Sequence, residues 1–138
     1  MRMLLDHLLE MERLSVAEAG TYAEGLYLAN KHFANYVDLC YNRAWSSRWY
    51  RKKLPKFKLD SVPYGYHLSQ LEKCLGKFQK AGFTNETEGN NLEDKRALNL
   101  LHQVMESVSD VEQKFLKQIL GGKLPYLSLE KWKELRRM

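Results

Sequence analysis

Apolar residues recur at intervals of three and four along most of this 138-residue chain. That spacing is typical of α-helices with one face against a core, whereas a half-buried strand alternates apolar and polar residues. The longest such stretch, from about residue 92 to 120, lies between Asn91 and Gly121. It predicts one helix roughly 40 Å long. Because no strand-type alternation of useful length appears, the pattern predicts an all-α fold, a four- to five-helix bundle.

Capping residues and the same periodicity predict the other helices. Ser15, followed three residues later by Glu18, forms a capping-box pattern that separates the first helix from the second. Gly82 is a natural C-terminal cap for the third helix, and Ser128 is a natural N-cap for the last. The predicted ranges are about 2–13, 16–49, 66–81 and 129–137.

Length and composition are those of one domain spanning residues 1–138. A hydrophobic content of 44% supports a core without disulfides or metal, and the four histidines show no metal-ligand spacing. We therefore expect no cofactor. The N-terminal apolar run is broken by Asp6 and Glu10, which is unlike a signal peptide, and no apolar run reaches the roughly 18–20 residues that span a bilayer. A cytoplasmic protein with no membrane association is the resulting expectation.

Charge is distributed in blocks that point to an anionic partner. Residues 1–42 and 59–113 carry net charges of −3 and −4, whereas residues 43–58 and 114–138 carry +7 and +5. Residues 43–58, here called the basic-aromatic segment, hold seven cations, no acidic residue and two of the chain's three tryptophans. Cations attract phosphate, and flat aromatic rings offer surfaces on which bases stack.

These properties predict the residues that contact nucleic acid. In the basic-aromatic segment they are Arg43, Arg48, Trp49, Tyr50, Arg51, Lys52, Lys53, Lys56 and Lys58. If the bundle brings the last helix alongside, Lys131, Arg136 and Arg137 extend the same surface. The alternative is that Trp45 and Trp49 are buried and that the cations only solvate a helix end, where they also favour the helix macrodipole.

The function predicted from these features is that of a non-enzymatic accessory protein that binds the phosphate backbone of RNA or DNA. No helix-turn-helix with a clear recognition helix appears, so little base readout is expected. The alternative function is a protein-interaction module, such as an inhibitor, adaptor or small subunit, whose basic face meets an acidic protein. The apolar content of the long helices is also compatible with a homodimer.

A third hypothesis is enzymatic. The stretch from Arg96 to His102 resembles the Arg-x₄₋₆-His motif of HEPN ribonucleases, which are all-helical proteins of similar length. The resemblance covers seven residues. It implies that the arginine and the histidine flank an RNA phosphate at a dimer interface. A polar residue commonly follows the arginine in that family, whereas Ala97 follows it here. Arg2 with His7 also matches the Arg-x₄₋₆-His pattern.

Overall fold

The computed structural model describes residues 4–41, 75–76, 94–106, 108, 110–122 and 124–138, and this part of the chain is predominantly helical, as predicted. It contains α1 (Leu4–Arg13), α2 (Val16–Ala29), α3 (Lys31–Tyr41), α4 (Asp94–Glu106), α5 (Asp110–Gly121) and α6 (Leu129–Arg136). Leu75 and Gly76 are also helical and fall within the predicted third helix. The rest of that helix, Trp45 and the loop after Gly82 lie outside the described residues.

The predicted helix over 16–49 is wrong in one respect, because α2 and α3 are separated at Asn30. The backbone of Asn30 is extended, with φ −124° and ψ 114°, and its N–H donates to the carbonyl oxygen of Leu26. Its side-chain Oδ1 accepts a hydrogen bond from the backbone N–H of Phe33 at 3.0 Å. One residue therefore ends α2 and caps α3, which matches the strong preference of asparagine for N-cap positions.

The predicted continuous helix over 92–120 is also divided. Val108 lies in a bend between α4 and α5, and its side chain is fully buried. Beside it, the Gln113 side-chain Nε2 donates to the carbonyl oxygen of Met105 at 2.6 Å. Carbonyls in the last turn of a helix have no partner within the helix. The break between α4 and α5 is tolerated for two reasons. The buried Gln113 side chain hydrogen-bonds the Met105 carbonyl, and the Val108 side chain packs in the core.

Three other predicted helix boundaries, at Ser15, Ser128 and the end of α5, are confirmed, whereas those at Gly82 and Asn91 lie outside the described residues. Ser15 Oγ accepts from the backbone N–H of Glu18 at 3.2 Å and donates to the Glu18 carboxylate at 2.8 Å. Ser128 Oγ likewise accepts from the N–H of Lys131 at 3.1 Å. Gly122 adopts a φ of 68°, and its N–H donates toward the Gln118 and Ile119 carbonyls at the end of α5. Glycine takes this left-handed conformation at low cost, which explains the stop.

The core is built around α3, which packs against α2, α5 and α6. Its Phe33, Tyr36 and Val37 side chains have no solvent exposure. The Tyr36 hydroxyl lies 2.7 Å from Gln118 Oε1 and 3.0 Å from the carbonyl oxygen of Phe115, both on α5. Within the described residues, no helix has the length and apolar character needed to cross a membrane.

Several ionisable groups are buried in this core. Their burial lowers the free energy of unfolding at alkaline pH. Desolvation raises the pKa of Tyr36 and Tyr126 above the usual 10. The pKa of Tyr27 is raised to about 12, mainly by burial and secondly by its hydrogen bond to Asp38. A group whose pKa is raised in the folded state contributes stability below its unfolded pKa and loses it as pH rises. The raised pKa of Tyr36 lowers the free energy of unfolding by about 1.4 kcal/mol for each pH unit above 10.

We therefore expect the free energy of unfolding to be flat from pH 7 to 8, to begin to fall near pH 9 because burial also raises the pKa of the Cys40 thiol, and to fall steeply from pH 10 to 12. Urea unfolding at half-unit pH steps, combined with tyrosinate absorbance at 295 nm, measures both stability and ionisation. Equal stability at pH 9 and pH 11 would contradict the burial of these hydroxyls.

Candidate nucleic-acid interface

The predicted nucleic-acid contacts divide into two groups in the structure. The basic-aromatic segment, with Arg43, Arg48, Trp49, Tyr50, Arg51, Lys52, Lys53, Lys56 and Lys58, lies outside the described residues. Lys131 and Arg136 lie on α6, and Arg137 is its C-cap. The described part of the interface is therefore α6 and the elements against which it packs.

A single carboxylate oxygen joins α6 to two other helices. Trp132 is only 5% exposed, and its Nε1–H donates to Asp38 Oδ1 on α3 at 2.9 Å. The Tyr27 hydroxyl on α2 donates to the same oxygen at 2.7 Å. Hydrogen bonds to an ionised acceptor are stronger than neutral ones. This contact fixes the orientation of α6 and directs its charged residues away from the core.

Tyr41, the last described residue of α3, contacts both α6 and the turn that precedes it. Its ring lies 5.7 Å from the Trp132 ring, centroid to centroid. Its hydroxyl accepts from the backbone N–H of Leu124 at 3.0 Å and donates to the carbonyl oxygen of Leu127. Tyr41, two residues before Arg43 in the sequence, is therefore anchored beside α6.

The exposed cations of α6 share one side of the helix. Lys133, Arg136 and Arg137 are all exposed, and their spacing of three and four makes them neighbours on a helical surface. The Arg136 guanidinium lies 4.7 Å from the centroid of the Trp132 ring, which is a cation–π geometry. Trp132 is thus covered by Arg136 on the solvent side and does not offer an open face to a base.

Lys131 differs from the other predicted cations because acidic neighbours compensate its charge. Its Nζ lies 3.1 Å from a carboxylate oxygen of Glu24 and 3.5 Å from one of Glu134. The hydrogen bond to Glu24 is the main cause of its raised pKa. A phosphate contact by Lys131 competes with these exposed ion pairs, and this contact stays a prediction.

Asp38 and its two donors were not among the residues predicted from sequence. The available signal was an acidic residue between Phe33 and Tyr41 in an otherwise apolar helical stripe. Buried or half-buried carboxylates in such positions usually have hydrogen-bonding partners. The sequence could indicate that a partner exists, but the partner Trp132 is 94 positions away.

The two residues of the ribonuclease-like motif both lie on α4. Arg96 is exposed and His102 is half-buried. A separation of six positions in a helix places them about 9 Å apart along the axis and about 120° apart around it. Among the described residues, no group of three histidine, cysteine or acidic side chains is arranged to hold a metal ion.

Comparison with known proteins gives no match: no family model, no curated protein and no solved structure is significantly similar to this chain.

Proposed function

We propose that this chain is a single helical-bundle domain that binds nucleic acid without catalysing a reaction. The observation that carries the proposal is the anchoring of Tyr41 against Trp132 and the Leu124–Leu127 turn. The basic-aromatic segment begins at Arg43, two residues after Tyr41 in the sequence. This short separation supports the proposal that the two basic regions of the sequence contribute to one surface.

The charge of that surface favours a polyanion over a small anion. The basic-aromatic segment holds seven cations within sixteen positions, and Lys133, Arg136 and Arg137 form a second exposed group, so the positive charge comes in runs that suit a chain of phosphates. Neutralising successive phosphates releases condensed counterions, which makes affinity high at low salt and steeply salt-dependent. Phosphate contacts of this kind position the protein and carry little sequence information.

Aromatic residues of the segment supply the second component of binding. Trp49 and Tyr50 stand among the cations, and stacking of a base on an aromatic ring contributes about 1–3 kcal/mol. Trp132 is buried beneath Arg136 and does not take part. Stacking on unpaired bases favours single-stranded RNA or DNA over duplex.

The test is fluorescence anisotropy with labelled single-stranded and duplex RNA and DNA at 50 to 300 mM salt. We expect log affinity to fall linearly with log salt, tighter binding to single strands, and quenching of tryptophan fluorescence. The quenching should survive Trp132→Phe and should be reduced by Trp49→Phe.

Absence of binding to every nucleic acid at 50 mM salt would overturn the proposal. Salt-sensitive binding to an acidic protein would then favour the interaction-module alternative. Cleavage of RNA that is lost in His102→Ala would instead favour the ribonuclease hypothesis.

A further inference from the structure

A second surface feature lies away from α6, in a recess of about 190 Å³ between α1, α2, α5 and the turn that precedes α6. Its apolar lining includes Met11, Leu14, Ala19, Phe115 and Pro125. Glu12 lies at its edge and is the acidic member of the lining. Of the predicted nucleic-acid contacts that the structure describes, Lys131, Arg136 and Arg137, none lines this recess.

The recess is partly open to solvent and is larger than a water molecule, whose share of liquid volume is about 30 Å³. An apolar cavity of about 150 Å³ in another protein is large enough to bind benzene. A volume of 190 Å³ therefore accommodates one aromatic ring or a branched alkyl group of similar size.

An ammonium group that does not itself line the recess lies close to two of its lining residues, Glu12 and Phe115. Lys114 Nζ contacts the Glu12 carboxylate and lies 5.8 Å from the centroid of the Phe115 ring, which also lines the recess. A carboxylate together with an aromatic ring is the combination that attracts organic cations. The Lys114 and Glu12 side chains are 63% and 40% exposed, and ion pairs that exposed contribute little to stability. Lys114 is therefore readily displaced.

We propose that this recess binds a small organic cation, an ammonium carried on an aromatic or branched alkyl group. The apolar group occupies the space beside Met11, Ala19 and Phe115. The ammonium takes the place of Lys114 Nζ next to the Glu12 carboxylate. Among the described residues, this site shares none with the proposed nucleic-acid contacts.

The test uses benzylamine and its uncharged analogue benzyl alcohol as probes. Each is titrated into ¹⁵N-labelled full-length protein and followed by amide chemical shifts. We expect both to shift the amides of Met11, Ala19 and Phe115, with benzylamine binding in about the millimolar range. The ammonium should strengthen binding about three- to fivefold over the alcohol, as for an exposed ion pair.

Substitutions at two exposed residues, Glu12 and Lys114, should change the binding of benzylamine in opposite directions. Glu12→Gln should abolish the preference for benzylamine, whereas Lys114→Gln should strengthen benzylamine binding by removing the competing ammonium. Glu130→Gln, which removes an exposed carboxylate on α6, is the matched control and should leave the preference unchanged.

Three results would overturn the proposal. They are equal affinity for the two probes in the wild-type protein, a preference that persists in Glu12→Gln, and absence of shifts at the recess up to 20 mM probe. None of them bears on nucleic-acid binding.

Discussion

Replacing three consecutive cations, Arg51, Lys52 and Lys53, by glutamate is expected to weaken single-stranded nucleic-acid binding by about 100-fold at 0.1 M salt. Each phosphate contact contributes about 0.7 to the slope of log affinity against log salt for a single strand. Loss of three contacts therefore removes about two units of slope, and the new acidic groups add repulsion. Anisotropy titrations at four salt concentrations measure both the affinity and the slope.

A matched control separates a local effect from a change in net charge. Lys31→Glu, Lys114→Glu and Lys117→Glu together produce the same change in net charge on exposed positions of α3 and α5. This variant should bind within about threefold of wild type, because long-range effects are screened beyond about 10 Å at 0.1 M salt. Equal weakening in both variants would contradict a defined interface in the basic-aromatic segment.

Trp132→Ala is expected to lower the free energy of unfolding by about 3–5 kcal/mol. The substitution removes a buried indole and leaves a cavity where α6 meets Tyr41. It also removes one of the two donors to Asp38 Oδ1. Urea unfolding followed by circular dichroism at 222 nm measures the loss.

Two milder substitutions separate the contributions to this contact. Trp132→Phe keeps an aromatic ring but lacks the N–H donor, and a hydrogen bond to a charged group contributes about 1.5–3 kcal/mol. Arg136→Gln removes only the exposed cation–π contact, which contributes about 0.5–1 kcal/mol. A Trp132→Ala protein within 1 kcal/mol of wild type would contradict the docking of α6 through this residue.

The local parts of the fold were accessible from sequence because their interactions are local. Ser15 with Glu18, Ser128 with Lys131, and Gly122 with the end of α5 all act over three or four residues. The buried faces of α3 and α6 followed from apolar spacing in the same way. Helix caps and apolar spacing depend on residues three or four positions apart, and these residues can be read from the sequence without knowledge of the fold.

The helix breaks were not accessible in this way. Apolar spacing continues across both Asn30 and Val108, so periodicity predicts uninterrupted helices there. At Asn30 the side chain caps the next helix, and at Val108 the freed backbone of α4 is satisfied by Gln113. In each case a side chain competes with the helical hydrogen bonds, and the tertiary packing of Phe33 or Val108 decides the outcome.

The sequence alone determined that the chain forms amphipathic helices with defined caps, and that its positive charge is concentrated in residues 43–58 and near the C-terminus. Tertiary structure decided which of those charges are available: it pairs Lys131 with Glu24, while Lys133, Arg136 and Arg137 remain exposed. It also brings Tyr27, Asp38 and Trp132 together across 11 and 94 positions of sequence. Periodicity and capping describe one helix at a time, whereas these contacts depend on how separate helices pack, which no local pattern encodes.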